Sequence, residues 1–389
     1  MHHVDLDRAA LVRGSDGIDR GKEYALMRTI NEHLTACFAV AMAACLWLIH
    51  VDVGAQPRYS INRINPDPVK GSAKGIALND AGRVVGEYCP LPAGGCQPFV
   101  FHEGRLDLID LEIPDAIYAR ASLITNEGLV AGTYQTEGRS GPMSAGSFLY
   151  RDGRLNPFQP PWPLNRFQIL GLNDQGDAFG IAVTGQREAF IYLGGELRMI
   201  KPDHFAFATA RALNQAGQIA GGKHEVMPRT GGTVEFLQPY ILSKDATLRL
   251  EAKDLESTTV DSVTAVNNHG HVVGQASVRA RGRFGGFQAF VAKESRIEVL
   301  DVNRHESIAT DINDQGTVVG FRHDHTPLLP FQGASIRRGA FLWTNGKTYS
   351  LDKIAGMTID RDASLRINQR GQILVNVHRQ AYLLTPVIR

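Results

Sequence analysis

One ten-residue pattern returns seven times along this chain, and it limits the possible folds more than any other feature. It runs as an apolar residue, Asn, two polar or small residues, Gly, then an apolar stretch ending in Gly. The copies are ALNDAGRVVG (77–86), LITNEGLVAG (123–132), GLNDQGDAFG (171–180), ALNQAGQIAG (212–221), AVNNHGHVVG (265–274), DINDQGTVVG (311–320) and RINQRGQILV (366–375). Their first glycines are spaced by 46, 48, 41, 53, 46 and 55 residues. The second copy carries Thr125 in place of Asn, and the last carries Val375 in place of the second Gly. A period of 40–50 residues is the mark of a repeat architecture.

Each copy is followed by a second constant half: PFVFHEGRLDLI (98–109), SFLYRDGRLNPF (147–158), AFIYLGGELRMI (189–200), PYILSKDATLRL (239–250), AFVAKESRIEVL (289–300), AFLWTNGKTYSL (340–351) and the shorter AYLLTP (381–386). Both halves read as β-hairpins. The paired residues Asn79 and Gly82, Asn173 and Gly176, Asn214 and Gly217, Asn267 and Gly270, Asn313 and Gly316, and Asn368 and Gly371 tolerate the positive φ of a tight turn or G1 bulge. Val-Val, Ile-Ala and Val-Ala after them are strand formers. EGR, DGR, GGE and NGK are short turns of the same kind. Four short strands in about 48 residues make one blade of a β-propeller. The expected fold is therefore all-β, a seven-bladed propeller of four-stranded blades. The seventh unit lacks its fourth strand, and RYSINRI (58–64) ahead of the first repeat supplies a spare one. Docked as the outer strand of the last blade, it closes the ring and leaves no open blade face.

Ahead of the repeats, residues 37–49 (CFAVAMAACLWLI) form the longest apolar run. It is too short to span a bilayer, which takes about 20 residues, and it fits a signal-peptide core. Met27 and Arg28 would start that signal, and Val53-Gly54-Ala55 would be its cleavage site. Residues 1–26 then read as a non-structural leader, 27–55 as the signal peptide and 56–389 as a single propeller domain, in a secreted, extracellular or periplasmic protein with no membrane span once the signal is cleaved. A buried helix, or a lipoprotein modified at Cys45, are the other readings of the run. Of the 4 Cys, only Cys89 and Cys96 lie beyond residue 55. Seven residues apart around a Pro/Gly turn, in an exported chain, they read as a disulfide.

The units resemble the HAF repeats of bacterial extracellular proteins, named for a His-Ala-Phe triplet at the head of the third strand. Here that head is Ala189-Phe190, Ala289-Phe290 and Ala340-Phe341, with Glu188, Gln288 and Gly339 where the His would stand. The INxxGxVVG half is similar over 312–320. The resemblance covers about 70–386 and implies export and a β-rich repeat fold. It implies no activity and no catalytic residues.

In a propeller the loops between second and third strands share one face. Here they span 87–97, 133–146, 181–188, 222–238, 275–288, 321–339 and 376–380, and they vary in length while the Asn turns hardly do. Variable loops on a fixed scaffold are where function sits. The whole chain carries 41 Lys+Arg against 40 Asp+Glu, which excludes nucleic-acid binding by bulk charge. These loops carry 11 against 6, concentrated in Arg279, Arg281 and Arg283 of the fifth and Arg322, Arg337 and Arg338 of the sixth. Such a face suits an anionic polysaccharide, a phosphorylated glycan or another surface protein. The alternative is that these arginines only keep the loops solvated. His323 and His325 alternate on one segment and could share an ion, but no third ligand is visible locally, so no metal and no cofactor is expected. No nucleophile elbow, HExxH, P-loop or dinucleotide fingerprint occurs. Asp80, Asp174 and Asp314 recur at one repeat position and read as turn formers. Phe99, Phe148, Phe190, Tyr240, Phe290, Phe341 and Tyr382 recur at another and read as core between blades. The function expected is that of a monomeric binding module. Its alternatives are a polysaccharide hydrolase or lyase with its site on the long-loop face, and a structural envelope or matrix protein.

Overall fold

The computed structural model describes residues 56–387, apart from short interruptions. The longer ones are 137–144, 157–166, 201–211, 251–257, 301–305 and 327–334. Pro57–Arg389 forms one compact unit. The expected leader and signal, residues 1–55, lie outside the described residues.

The unit is a ring of seven four-stranded antiparallel sheets, a β-propeller. In the first blade the strands are Gly71–Leu78, Val84–Pro90, Gln97–His102 and Arg105–Leu108, hydrogen-bonded in chain order. Blades two to six repeat that order. The seventh is composite. Leu365–Ile367, Ile373–Val377 and Gln380–Pro386 come from the end of the chain, and Tyr59–Arg63 from its start forms the outer strand. That strand runs antiparallel to Gln380–Pro386, with Tyr59 opposite Pro386 and Arg63 opposite Tyr382. Ile64, just past it, is fully buried among Ala73, Val84, Phe99, Leu374 and Ala381, so it packs against both the last and the first blade. Ile61 within the strand is 40% exposed.

The Asn turns are type I turns followed by a G1 bulge. In the first, Gly82 N donates to Asn79 O at 3.0 Å, and Asn79 N donates to Arg83 O at 3.0 Å. Gly82 sits at φ 82°, a value that glycine alone adopts without cost. The Asn79 Oδ1 accepts from Arg83 N at 2.9 Å. Its Nδ2 leaves the blade altogether and donates to the Thr125 carbonyl of the second blade at 3.0 Å. The same bond runs from Asn173 to Asn214, Asn214 to Asn267, Asn267 to Asn313, Asn313 to Asn368, and Asn368 back to Asn79, over 2.8–3.2 Å. One link is missing, because the Thr125 hydroxyl accepts from Leu129 N but has no amide to offer Asn173.

A second, unbroken circle lies beside the first. The residue after each Asn accepts, through its side-chain oxygen, the backbone N–H of its counterpart in the preceding blade. Asn126 accepts from Asp80, Asp174 from Asn126, Gln215 from Asp174, Asn268 from Gln215, Asp314 from Asn268, Gln369 from Asp314 and Asp80 from Gln369, over 2.6–3.0 Å. Asp80, Asp174 and Asp314 therefore do more than shape their own turns, which is all the repeat pattern suggests. They tie neighbouring blades together. Only an acceptor is needed here, so Asp, Asn and Gln all serve.

The second glycine of the pattern answers a different need. The inner strand carries a β-bulge in blades one, two, three, five and six. A Cβ at Gly320 would lie 2.2 Å from the Ile308 carbonyl oxygen and 2.6 Å from the Phe341 ring. The seventh blade pairs Leu365 with Val375 and has no bulge, so a side chain fits there. The recurring aromatics are core as expected: Phe99, Phe148, Phe190, Phe290 and Phe341 are at most 1% exposed. Tyr240 and Tyr382 are half-buried at the same register. One element has no sequence forewarning, a five-residue helix at Leu351–Ala355, capped by Ser350 and ended by Gly356 at φ 60°.

Two stability outcomes follow. Ile64→Ala loses about 2–5 kcal/mol, as buried Ile→Ala changes do, while Ile61→Ala stays within about 0.5 kcal/mol. Thr125→Asn supplies the missing amide and gains about 0.5–1.5 kcal/mol. Urea unfolding of the three variants against the parent checks both.

Candidate functional site

The Asn turns and the turns between third and fourth strands lie on one face of the ring. The hairpins joining second to third strands lie on the other. The turn face is nearly uniform, since its turns are fixed by the two hydrogen-bond circles. The hairpin face is not. In blades one, two, three and seven the second and third strands are 5–7 residues long. In blade four they are Ile219–Arg229 and Gly232–Leu242, in blade five Val272–Ala280 and Arg283–Lys293, and in blade six Val318–Thr326 and Ser335–Thr344.

This corrects the sequence reading of 222–238, 275–288 and 321–339 as loops. Most of their length is paired β-ribbon, continuing the blade strands outward by roughly 3–5 residues, or about 10–16 Å. The physical reason lies in runs such as Gln275-Ala276-Ser277-Val278, which hold no turn former and stay in register with the facing strand. Lys223, His224 and Glu225 face Gln238, Leu237 and Phe236 in the fourth ribbon.

The ribbons set the positions of the candidate residues. Arg279 pairs with Phe284, and Arg283 with Ala280, around the tip of the fifth ribbon. In the sixth, Arg322 stands opposite Gly339, His323 opposite Arg338, Asp324 opposite Arg337 and His325 opposite Ile336. Arg281 and the side chains of Arg279, Arg283, His325, Arg337 and Arg338 lie outside the described residues. The half-buried His323 has its Nδ1 3.3 Å from Glu306 Oε2, and its backbone N–H donates to the Glu306 carbonyl at 2.7 Å. Among the described residues no group of three His, Cys, Asp or Glu is placed to hold a metal ion.

At the first blade the hairpin is stapled by a disulfide between Cys89 and Cys96, whose Cα atoms are 4.2 Å apart. Closing so short a loop is worth about 2.5 kcal/mol in the chain-entropy model. Beside it the Tyr118 hydroxyl donates to Glu87. Burial, then the bond to Glu87, push this phenol up to about 12. Tyr240 makes the equivalent bond to Glu225 on the fourth ribbon and is raised for the same reasons, while Arg249 Nη2 lies 3.6 Å from the same carboxylate. These tyrosines stay protonated donors throughout the neutral range. On the turn face, burial and then the neighbouring Lys293 lower His271.

Sequence reasoning missed Asp311, on the inner strand of blade six. Its Oδ2 accepts from Ile367 N of the next blade at 3.0 Å, and Oδ1 from Ile312 N at 3.0 Å. Burial raises its pKa above the ordinary 3.8, opposed by Arg366 and those two N–H groups. Only its position just before an Asn turn, where five of the other six copies have an apolar residue or Gly, could have drawn notice. Because the folded pKa exceeds the unfolded one, the fold disfavours the ionised form. The stability contribution of Asp311 is fully present below about pH 4 and falls as pH rises through the folded pKa. The melting temperature of the parent relative to Asp311→Asn is therefore lower at pH 7.5 than at pH 3.5, whatever the cost of the acceptor the amide lacks. Melting temperatures at the two pH values check the sign.

No helix among the described residues is long and apolar enough to cross a membrane. No family model matches the chain, and no curated protein matches it. Solved structures do. The β-propeller domain of the trilobed protease from Pyrococcus furiosus is 11% identical, with 80% of this chain and 93% of that one covered at a TM-score of 0.48. Dipeptidyl peptidase 4 of Porphyromonas gingivalis is 9% identical, over 77% of this chain and 49% of that one, at 0.43. A PL25 ulvan lyase is 9% identical, over 85% and 96%, at 0.37. These are likenesses in fold, and the strand pairing itself makes the chain a seven-bladed β-propeller with one disulfide-stapled blade.

Proposed function

We propose that this propeller is an exported binding module of the HAF-repeat kind that engages an anionic extracellular glycan or polymer on its hairpin face. The observation that carries the reading is the fifth ribbon. Its outward part, residues 275–288, holds Arg279, Arg281 and Arg283 and no Asp or Glu. A projecting ribbon of one charge sign concentrates field away from the near-neutral body of the protein. Arginine is suited to it, since its planar fork matches carboxylate and sulfate oxygens two at a time. The ribbons of blades four and six stand on either side, and the sixth adds Arg322, Arg337 and Arg338. The disulfide supports export, because such bonds persist in oxidising compartments.

The test is binding to immobilised polygalacturonate as a function of salt. Affinity is expected to fall steeply between about 50 and 300 mM NaCl, as screening shortens the reach of exposed charges. The quadruple variant Arg281→Ala, Arg283→Ala, Arg337→Ala, Arg338→Ala is expected to lose at least tenfold, at up to about 1 kcal/mol per exposed contact. Binding that ignores both salt and these substitutions overturns the proposal.

A further inference from the structure

The seam between the first and seventh blades holds a cavity of about 520 Å³, lined among others by Lys74, Glu87, Asn376, His378, Arg379 and Gln380. We propose that it binds a small hydroxylated carboxylate of the size of a single uronic acid. Three independent observations meet there.

The first is the cavity itself. Its volume falls in the range of small-molecule sites, and its floor is rigid. The buried Asn376 accepts from Gly75 N at 2.8 Å and donates to Gly75 O at 2.6 Å and to Ser364 Oγ at 2.5 Å. Those bonds lock the seventh blade to the inner strand of the first.

The second is the backbone of the rim. His378 and Arg379 form the two-residue turn of the seventh-blade hairpin at φ 47° and 66°, both left-handed. The tight turns at Glu103-Gly104, Asp152-Gly153, Gly194-Gly195 and Asn345-Gly346 place glycine second, where the conformation costs nothing. Here the chain keeps two long polar side chains at the cost of strain. Such strain collects where side chains clamp a ligand.

The third is the chemistry of the lining. Lys74 and Arg379 are exposed on the rim, and neither is ion-paired among the described residues. Together they face a ligand anion. Gln380 is 9% exposed, and its Oε1 is buried with no hydrogen-bond partner. Gln380 lines the cavity, and a small turn of its side chain would bring this unused acceptor to a ligand hydroxyl. Glu87, held by the Tyr118 hydroxyl, adds a further acceptor for hydroxyl donors. A carboxylate on the rim and hydroxyls below describe a sugar acid. This site does not rest on the arginine ribbons, which belong to other blades.

Calorimetric titration of the purified protein with sodium glucuronate, and with glucose as the neutral control, tests it. The expected result is saturable glucuronate binding at millimolar or better affinity, with glucose at least tenfold weaker. Arg379→Gly and Lys74→Ala each weaken glucuronate at least fivefold. Arg379→Gly also melts at or above the parent temperature, since glycine relieves the left-handed turn. The quadruple ribbon variant binds glucuronate like the parent. Absence of saturable binding up to about 50 mM, well past the millimolar affinity expected, overturns the proposal. So does binding that survives Arg379→Gly and Lys74→Ala, and so does loss confined to the ribbon variant. The ribbon reading stands or falls separately, on polymer binding by that variant.

Discussion

Six asparagine side chains, each bonded to the next blade's backbone, make this ring a ring. A blade by itself buries only one part of its surface and must be held at a fixed angle to the next. Asparagine does this with one side chain, because it accepts and donates at once. Oδ1 of Asn267 accepts from His269 and His271 N–H and so sets its own turn, while Nδ2 reaches the Asn313 carbonyl. Aspartate could make the first contacts but not the last. Threonine at 125 makes the first and is too short for the last. Each such bond is worth only about 1 kcal/mol net, but leaving a buried donor or acceptor unpaired costs more, so the circle is hard to open at any one point.

The circle fixes the inner ends of the blades, and the glycine-aromatic step fixes their interiors. At the bulge the inner strand pushes a carbonyl towards the second strand, and the aromatic of the third strand lies over the same spot, as Phe341 does over Gly320. No side chain can share that space. The seventh blade shows the converse: without a bulge, Val375 replaces glycine and packs with Leu365 and Leu384 in the core. The two recurrent features of the repeat are thus answers to two separate steric and hydrogen-bonding demands, one between blades and one within a blade.

That division explains what the sequence made legible. Demands imposed identically in every blade leave a period, and from the period the strand count, the turn type, the closing strand and the core aromatics can all be read. The disulfide was readable because its partners are close in sequence. Interactions that join one blade to the next were not, since Asn79 and Thr125 look like unrelated turn residues until the ring brings them together. Strand length was misread for a different reason. Landmarks such as Ala289-Phe290 mark the register of the blade, not where pairing stops, and pairing in the fifth blade runs on to Arg283. Neither the buried Asp311 nor the seam cavity repeats, so neither left a pattern.

The seam is where the repeat rules relax, and its shape follows from that. Six blades take all four strands from one continuous stretch, but the seventh borrows Tyr59–Arg63 and has the shortest second-to-third hairpin, turning at His378 and Arg379. Its neighbour, the first blade, has a longer hairpin held upright by Cys89–Cys96. A short hairpin beside a stapled tall one leaves a gap, and Cys89 stands in its wall. The Asn376–Gly75 bonds prevent that gap from closing by a tilt of the last blade. Ring closure by a borrowed strand thus accounts for a rigid cavity at one junction. The same frame lets three other hairpins grow into ribbons without disturbing the turns on the opposite face. Both candidate sites arise because the hydrogen-bond circles hold one face constant and leave the hairpin face free to vary.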